Sequence, residues 1–314
     1  MFTVRQRCGT LALLALASPL MAQTAPPAPP AKPTPTAAPT PAAQAPAGSV
    51  GGVGDVNLYP KRVVINDRQR IATVGLFNRA AVAGDYEISL NDQMMTPEGK
   101  LVELSTVTDP VARARVKVAS ELLRWSPHRV TLQGNEAQTV RIIARITPDL
   151  APGEYRSHFT ALAVPSDSVG GLSIENAAGA SKPGQIGVRI VPRFGISIPV
   201  ILRVGETTLT TGLTGLKVLN LPGGRKVVSV IITRQGTRSA FGDVSVTAPG
   251  AKKPVAEVRG VGVYTEVDQR AVQLPIDPLT EARFTVPGAK LTVTYTDDDV
   301  APGKALARQD FTVP

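Results

Sequence analysis

From Val56 onward, apolar and polar residues alternate in short runs. Val63 and Ile65, then Ala72, Val74 and Leu76, are apolar positions two apart, with the turn Asn66-Asp67-Arg68 between the two runs. Side chains alternate across a strand, so this period, rich in β-branched residues, predicts strands. Further strands are expected over 85–90, 122–125, 130–132, 139–146 and 158–164. Turn residues punctuate them at Thr96-Pro97-Glu98-Gly99, Gln133-Gly134-Asn135 and Ala151-Pro152-Gly153. Such spacing predicts a β-sandwich. One segment, 110–124, places Val111, Ala114, Val118 and Leu122 at helical spacing, and at most a turn or two of helix is expected there.

Residues 186–202 stand out. Ile186, Val188, Ile190, Pro192, Phe194, Ile196, Ile198, Val200 and Leu202 are apolar at every second position, while Val191 and Ile201 are the exceptions on the other face. A single strand of this length is long for one sandwich. Two readings stay open. The run is a core strand kinked at Pro192, or part of it serves something else by joining two domains or offering an edge to a partner. Beyond Arg203-Val204-Gly205 a second set of strands is expected over 217–221, 227–234, 243–247, 261–267, 271–274, 290–295 and 308–313. This makes a second, smaller sandwich.

The first residues read as an export signal. Arg5 and Arg7 precede the apolar run 11–17, and Leu20-Met21-Ala22 offers a small residue before a cut after Ala22. Residues 23 to about 48 are almost wholly Ala, Pro, Thr and Gln, a composition unable to bury enough apolar surface to order itself. The expected organisation is therefore a signal peptide at 1–22, a disordered Pro/Ala-rich linker at 23–53, and sandwiches at 54–202 and 203–314. Later segments lack the length and apolarity of a membrane helix, so no stable membrane insertion is expected.

The only cysteine, Cys8, lies in the signal, which leaves no disulfide, cysteine–zinc site or thiol nucleophile for the rest of the chain. The net charge is +9, and loss of Arg5 and Arg7 would bring it to +7. The cations are scattered, with few aromatics between them, so nucleic-acid binding is not expected. A basic face for an acidic partner or a carboxylate fits better. Only His128 and His158 could serve as imidazole bases, and neither has metal-ligand or triad spacing. Both are expected to be strand residues making structural hydrogen bonds. Asp297-Asp298-Asp299 lacks the spaced ligands of a calcium loop and reads as a solvated hairpin tip. No enzyme activity and no cofactor are expected.

Four segments occur in a telling order. They are Pro60-Lys61-Arg62-Val63-Val64-Ile65 with Thr73-Val74-Gly75-Leu76-Phe77-Asn78, then Leu123-Arg124-Trp125-Ser126-Pro127. Next come Gln138-Thr139-Val140-Arg141-Ile142 and Leu150-Ala151-Pro152-Gly153-Glu154-Tyr155. This order, behind a signal peptide, resembles the first domain of the periplasmic pilus (fimbrial) assembly chaperones of the chaperone–usher pathway. The likeness covers roughly 56–203 and, more weakly, the second domain.

The resemblance implies an all-β chain of two immunoglobulin-like sandwiches, located in the periplasm. It implies a chaperone that binds and stabilises secreted pilus or other β-sandwich subunits by donating a β-strand, then delivers them to an outer-membrane usher. The donated residues would be Ile186, Val188 and Ile190, and Arg62 would grip the subunit's terminal carboxylate. The family's second basic anchor is a lysine with no direct match, and Arg193 is the nearest cation. The alternative is a non-chaperone immunoglobulin-like structural or adhesive module of the envelope. The segment 166–184 is expected to be a long connection without structure.

Overall fold

The computed structural model describes residues 45–51, 54–165, 172–173, 189–190, 192–280 and 282–314, with backbone alone at 172–173 and 189–190. The signal segment, most of the Pro/Ala-rich stretch, and Ile186 and Val188 lie outside the described residues.

The chain is all-β. The first sandwich contains β1 (Val50–Gly51), β2 (Val56–Tyr59), β3 (Val63–Asn66), β4 (Ile71–Asn78), β5 (Gly84–Asn91), β6 (Gln93–Met95), β7 (Leu101–Glu103), β8 (Leu123–Ser126), β9 (Arg129–Leu132), β10 (Ala137–Ala144), β11 (Gly153–Val164) and β14 (Gly195–Val204), with a hairpin of β12 (Leu172–Ser173) and β13 (Arg189–Ile190). Its sheets run β1-β2-β4-β10-β8 and β3-β14-β11-β5-β9. The second sandwich contains β15 (Leu209–Asn220), β16 (Lys226–Gly236), β17 (Ala240–Thr247), β18 (Ala256–Val263), β19 (Gln269–Pro275), β20 (Lys290–Asp297) and β21 (Ala305–Thr312), in sheets β15-β16-β19 and β18-β17-β20-β21. These are two immunoglobulin-like sandwiches.

Alternation explains the cores. In β10, Val140, Ile142 and Ala144 point inward while Thr139, Arg141 and Ile143 are exposed. In β14, Ile196, Ile198, Val200 and Leu202 line the same core with Leu58, Leu76 and Phe159. Ile201, on the opposite face of β14, is also fully buried. It packs with Met95 and Val64 into the core of the second sandwich. An isoleucine facing the wrong way for its own sheet is thus explained by a neighbour covering that face. Its burial contributes about 1.5–3 kcal/mol to holding the sandwiches together.

Several expectations need correction. The apolar run of 186–202 is not one strand. Regular pairing begins at Gly195, Pro192, Arg193 and Phe194 are exposed and irregular, and Arg189–Ile190 pairs separately with Leu172–Ser173. Pro192 carries no N–H and cannot extend a ladder from within. The connection 166–184 is therefore not wholly without structure, since Leu172–Ser173 is paired. Val50 and Gly51 pair with Leu58 and Asn57, inside the stretch read as linker.

The strand expected at 261–267 instead spans Ala256–Val263. It ends because Tyr264–Val267 turns toward the first sandwich, the Val267 N–H donating to the Tyr264 carbonyl at 3.2 Å. β15 starts eight residues earlier than expected (209 against 217), since Thr, Gly and Leu there gave no clear period. The short helix is found, as Pro110–Ala114, capped by the Asp109 carboxylate, which accepts from Val111 N–H at 2.9 Å.

Candidate functional site

Strand β14 is paired along one side only for half its length. β11 covers it from Gly195 to Val204, whereas β3 pairs, in parallel, only with Val200–Arg203. Among the described residues, no strand pairs with the outer side of Gly195–Pro199. The ladder fixes which groups that edge presents. Phe194 C=O accepts from Ala163 N–H at 2.8 Å. Antiparallel pairing alternates, so Ile196 and Ile198 direct their backbone groups to β11, while Gly195, Ser197 and Pro199 direct theirs outward. The edge thus offers two N–H groups and two carbonyls, those of Gly195 and Ser197, because Pro199 has no N–H and its carbonyl lies in the ladder to Val63. Below it lie the buried Ile196 and Ile198, and beside it the half-exposed Phe194. A row of unpaired backbone groups over apolar side chains can pair with an extended segment of another chain.

Arg62 sits just before β3, where that strand reaches β14. It is not free. Its Nη2 donates to Asp298 Oδ1 at 3.0 Å and to the Asp298 carbonyl at 3.1 Å, and Asp299 Oδ1 lies at 3.8 Å. Its guanidinium lies 4.1 Å from the centre of the Phe241 ring. Lys61 also grips Asp298. Arg203, on β14, bonds Asp299 Oδ2 at 2.5 Å and Glu154 Oε2 at 3.1 Å. Three cations of the first sandwich therefore meet the β20–β21 turn of the second. Burial alone would raise the Asp298 carboxyl, but hydrogen bonds from Lys61 and Arg62 outweigh it and hold that carboxyl below the usual carboxylate range.

Asp297-Asp298-Asp299 is therefore no solvated tip. Asp297 is buried and its carboxylate accepts from Asp299 and Ala301 N–H at 2.8 and 3.0 Å, which shapes the turn. The run of three acids facing Pro60-Lys61-Arg62 was visible as opposite charge, but nothing in the sequence paired the two segments.

Arg193 lies elsewhere. It bonds Glu87 Oε2 at 2.7 Å and the Ala163 carbonyl at 3.2 Å, largely in solvent. Val63, next to Arg62, stands opposite Val200, seven residues from Arg193. At about 3.3 Å per residue that is roughly 20 Å. The two expected anchors are not brought together. The cation that does join Arg62 is Arg203, which shares Asp299 with it. Of the expected donor residues, Ile190 is described only in backbone, paired with Leu172.

A second ionic layer was not foreseen. Arg156 of β11 and Glu266 form a two-point pair at 2.7 and 3.0 Å, and both side chains are buried. Glu266 also accepts from Met95 N–H at 2.8 Å, and the Arg156 guanidinium lies 3.7 Å from the Tyr264 ring centre. Burial pulls the Arg156 pKa down, but Glu266 more than offsets it, and the net shift is upward. Beside them His158 is buried, and neither ring nitrogen has a partner among the described residues. Burial, then the Arg156 charge, pushes its pKa down to about 3, so it is neutral at ordinary pH. His128 sits between β8 and β9, edge-on to Trp125 at 4.7 Å. His158 is a strand residue, as expected, but its ring makes no hydrogen bond among the described residues, and His128 lies outside the strands. Among the described residues no three acidic, histidine or cysteine side chains gather as a metal site, and no helix is long and apolar enough to cross a membrane.

The fold and site define a two-sandwich, all-β protein in which an unpaired stretch of β14 lies beside an ionic junction. No family model matches the chain, and no curated protein matches it. Among solved structures it is similar to the YadV chaperone (14% identity, 82% of this chain and 100% of that one, TM-score 0.40). It is also similar to the E. coli chaperone DraB (10% identity, 82% and 96%, TM-score 0.41). A third likeness is to a chain from the Salmonella enterica SafA pilin in complex with the SafB chaperone (12% identity, 84% and 99%, TM-score 0.40).

Proposed function

We propose that this chain is a non-enzymatic periplasmic chaperone that captures secreted β-sandwich subunits, pilus subunits in the first instance, by strand addition. It would then pass them to an outer-membrane usher. The observation that carries the reading is the unpaired edge of Gly195–Pro199, with outward backbone groups above buried Ile196 and Ile198. The ordered segments of 56–203 support it. A subunit strand laid on this edge completes a ladder and covers Phe194.

Arg62 is the carboxylate anchor in this reading, and a carboxylate already occupies it. Asp298 stands where a client's terminal carboxylate would, so capture exchanges one anion for another and Lys61 and Arg203 retain the turn. Ile186, Val188 and Ile190 would extend the donated surface beyond Gly195. Arg193 is left out of the anchor.

The test is co-expression of the tagged chain with its export signal in a bacterial periplasm, followed by identification of what elutes. A secreted β-rich subunit in stoichiometric amount, lost with Ser197→Pro and weakened by Arg62→Ala, supports the chaperone. A partnerless protein that crosslinks into the envelope instead supports the structural module.

A further inference from the structure

The second sandwich has a pole far from the ionic junction. β20 runs from Lys290 to Asp297, and the turn after Asp297 meets Arg62, so the loops beside Lys290 lie at the other end of that strand. Three loops converge there, 221–226, 248–255 and 276–289. Ile276 N–H donates to the Lys226 carbonyl at 3.0 Å, Asp277 N–H to the Val255 carbonyl at 3.1 Å, and Lys226 Nζ to Thr285 Oγ1 at 3.3 Å.

These loops hold Arg225, Lys226, Lys252, Lys253 and Arg283 against two carboxylates, Asp277 and Glu281. Arg225, Lys252, Lys253 and Arg283 are exposed. Arg225, Lys252 and Lys253 make no ion pair among the described residues. In their midst Leu279 is 89% exposed, the most exposed large apolar side chain described, and Val286 is 43% exposed. Leu279 and the two lysines line the same shallow groove with Phe284.

An isolated exposed leucine is ordinary. A protruding leucine beside Lys252 and Lys253, neither in an ion pair among the described residues, is a combination that a water-facing loop does not need. It has the layering of a bilayer boundary, with phosphates meeting the cations and the apolar tip reaching past them. We propose that this pole is a contact surface for anionic membrane lipid headgroups. The proposal is independent of the chaperone reading. It places the lipid contact at the far end of β20, leaving the ionic junction and the open edge turned toward bulk solvent and available to a client.

The experiment is co-sedimentation of the purified protein with phosphatidylcholine vesicles, with and without phosphatidylglycerol. Binding is expected only with the anionic lipid, and should fall as salt rises. Lys252→Glu/Lys253→Glu should weaken it by about fivefold or more per charge reversed. Leu279→Asp should weaken it further without unfolding so exposed a site, as circular dichroism checks. Three results overturn the proposal. One is no binding to anionic vesicles. Another is equal weakening by the control Arg141→Glu/Arg145→Glu, two exposed arginines in and just after β10, which would mean only diffuse positive charge. The third is retained binding to soluble polyglutamate with none to vesicles, which would mean an acidic protein partner.

Discussion

Two arginine–glutamate pairs in this molecule share one separation and almost nothing else. Arg156–Glu266 and Arg193–Glu87 both close to 2.7 Å. The first pair is 3% and 2% exposed, lies between the sandwiches, and gains further bonds from Met95 N–H and to the Gln93 carbonyl. The second is 40% and 50% exposed. Distance therefore says little about worth. Water screens the second pair and leaves both side chains other partners, whereas removing one member of the first strands a charge where water cannot reach.

The sharpest break of this contrast is Glu266→Ala. It leaves Arg156 buried without its carboxylate and should cost about 3–5 kcal/mol, seen as a lower midpoint in urea unfolding. A cost near that of Arg193→Ala would erase the distinction.

Acid should act on the same region. His158 has a folded pKa of about 3 against an ordinary 6.5, so between those values the unfolded chain binds the extra proton. Stability then rises with pH across that window, and is lost by a few kcal/mol as pH falls from 6.5 toward 3. The difference between the denaturant midpoints of wild type and His158→Leu should be constant above about pH 6.5 and shift steadily against wild type as pH falls toward 3; parallel curves would mean that His158 is not the group responsible.

Next comes Ser197→Pro. It removes an outward N–H that β11 does not use, so client capture should fall tenfold or more with only a small change in melting temperature. Arg62→Ala follows, with a loss of about 1–2 kcal/mol from its partly buried bonds to Asp298 and a weaker hold on a subunit ending in a free carboxylate. An amidated subunit terminus should abolish that difference between variant and wild type. Smallest is Arg193→Ala, expected to shift stability by about 0–1 kcal/mol and to leave capture unchanged.

Period two was the legible part of this chain. It marked Val74, Leu76, Val140, Ile142, Ile196 and Ile198 as one buried face, and a sandwich on either side of residue 204 could be drawn from it. It also marked Ile201 as an exception, which proved to be the face covered by the second sandwich. The run through Pro192 misled because apolarity alternates whether or not backbone groups are paired. The ionic junction was hidden for a different reason. Arg62 meets Asp298 across 236 residues, and Arg156 meets Glu266 across 110. Local pattern carries no term for contacts that long. A buried arginine amid the apolar residues of 153–164 was the one available hint, since such a charge requires a partner from somewhere.

The open stretch of β14 is bounded at both ends. β3 takes over at Val200, and Pro192 interrupts regular pairing on the other side. The regularly paired part of the window between them, Gly195–Pro199, holds five residues, about 17 Å of strand. It therefore acts as a gauge. Within it Gly195 and Ser197 present both N–H and carbonyl outward while Pro199 has no N–H to offer, so that a strand laid here forfeits a bond by sliding two residues toward β3. On the chaperone reading, one preferred alignment of the client follows from where two prolines fall.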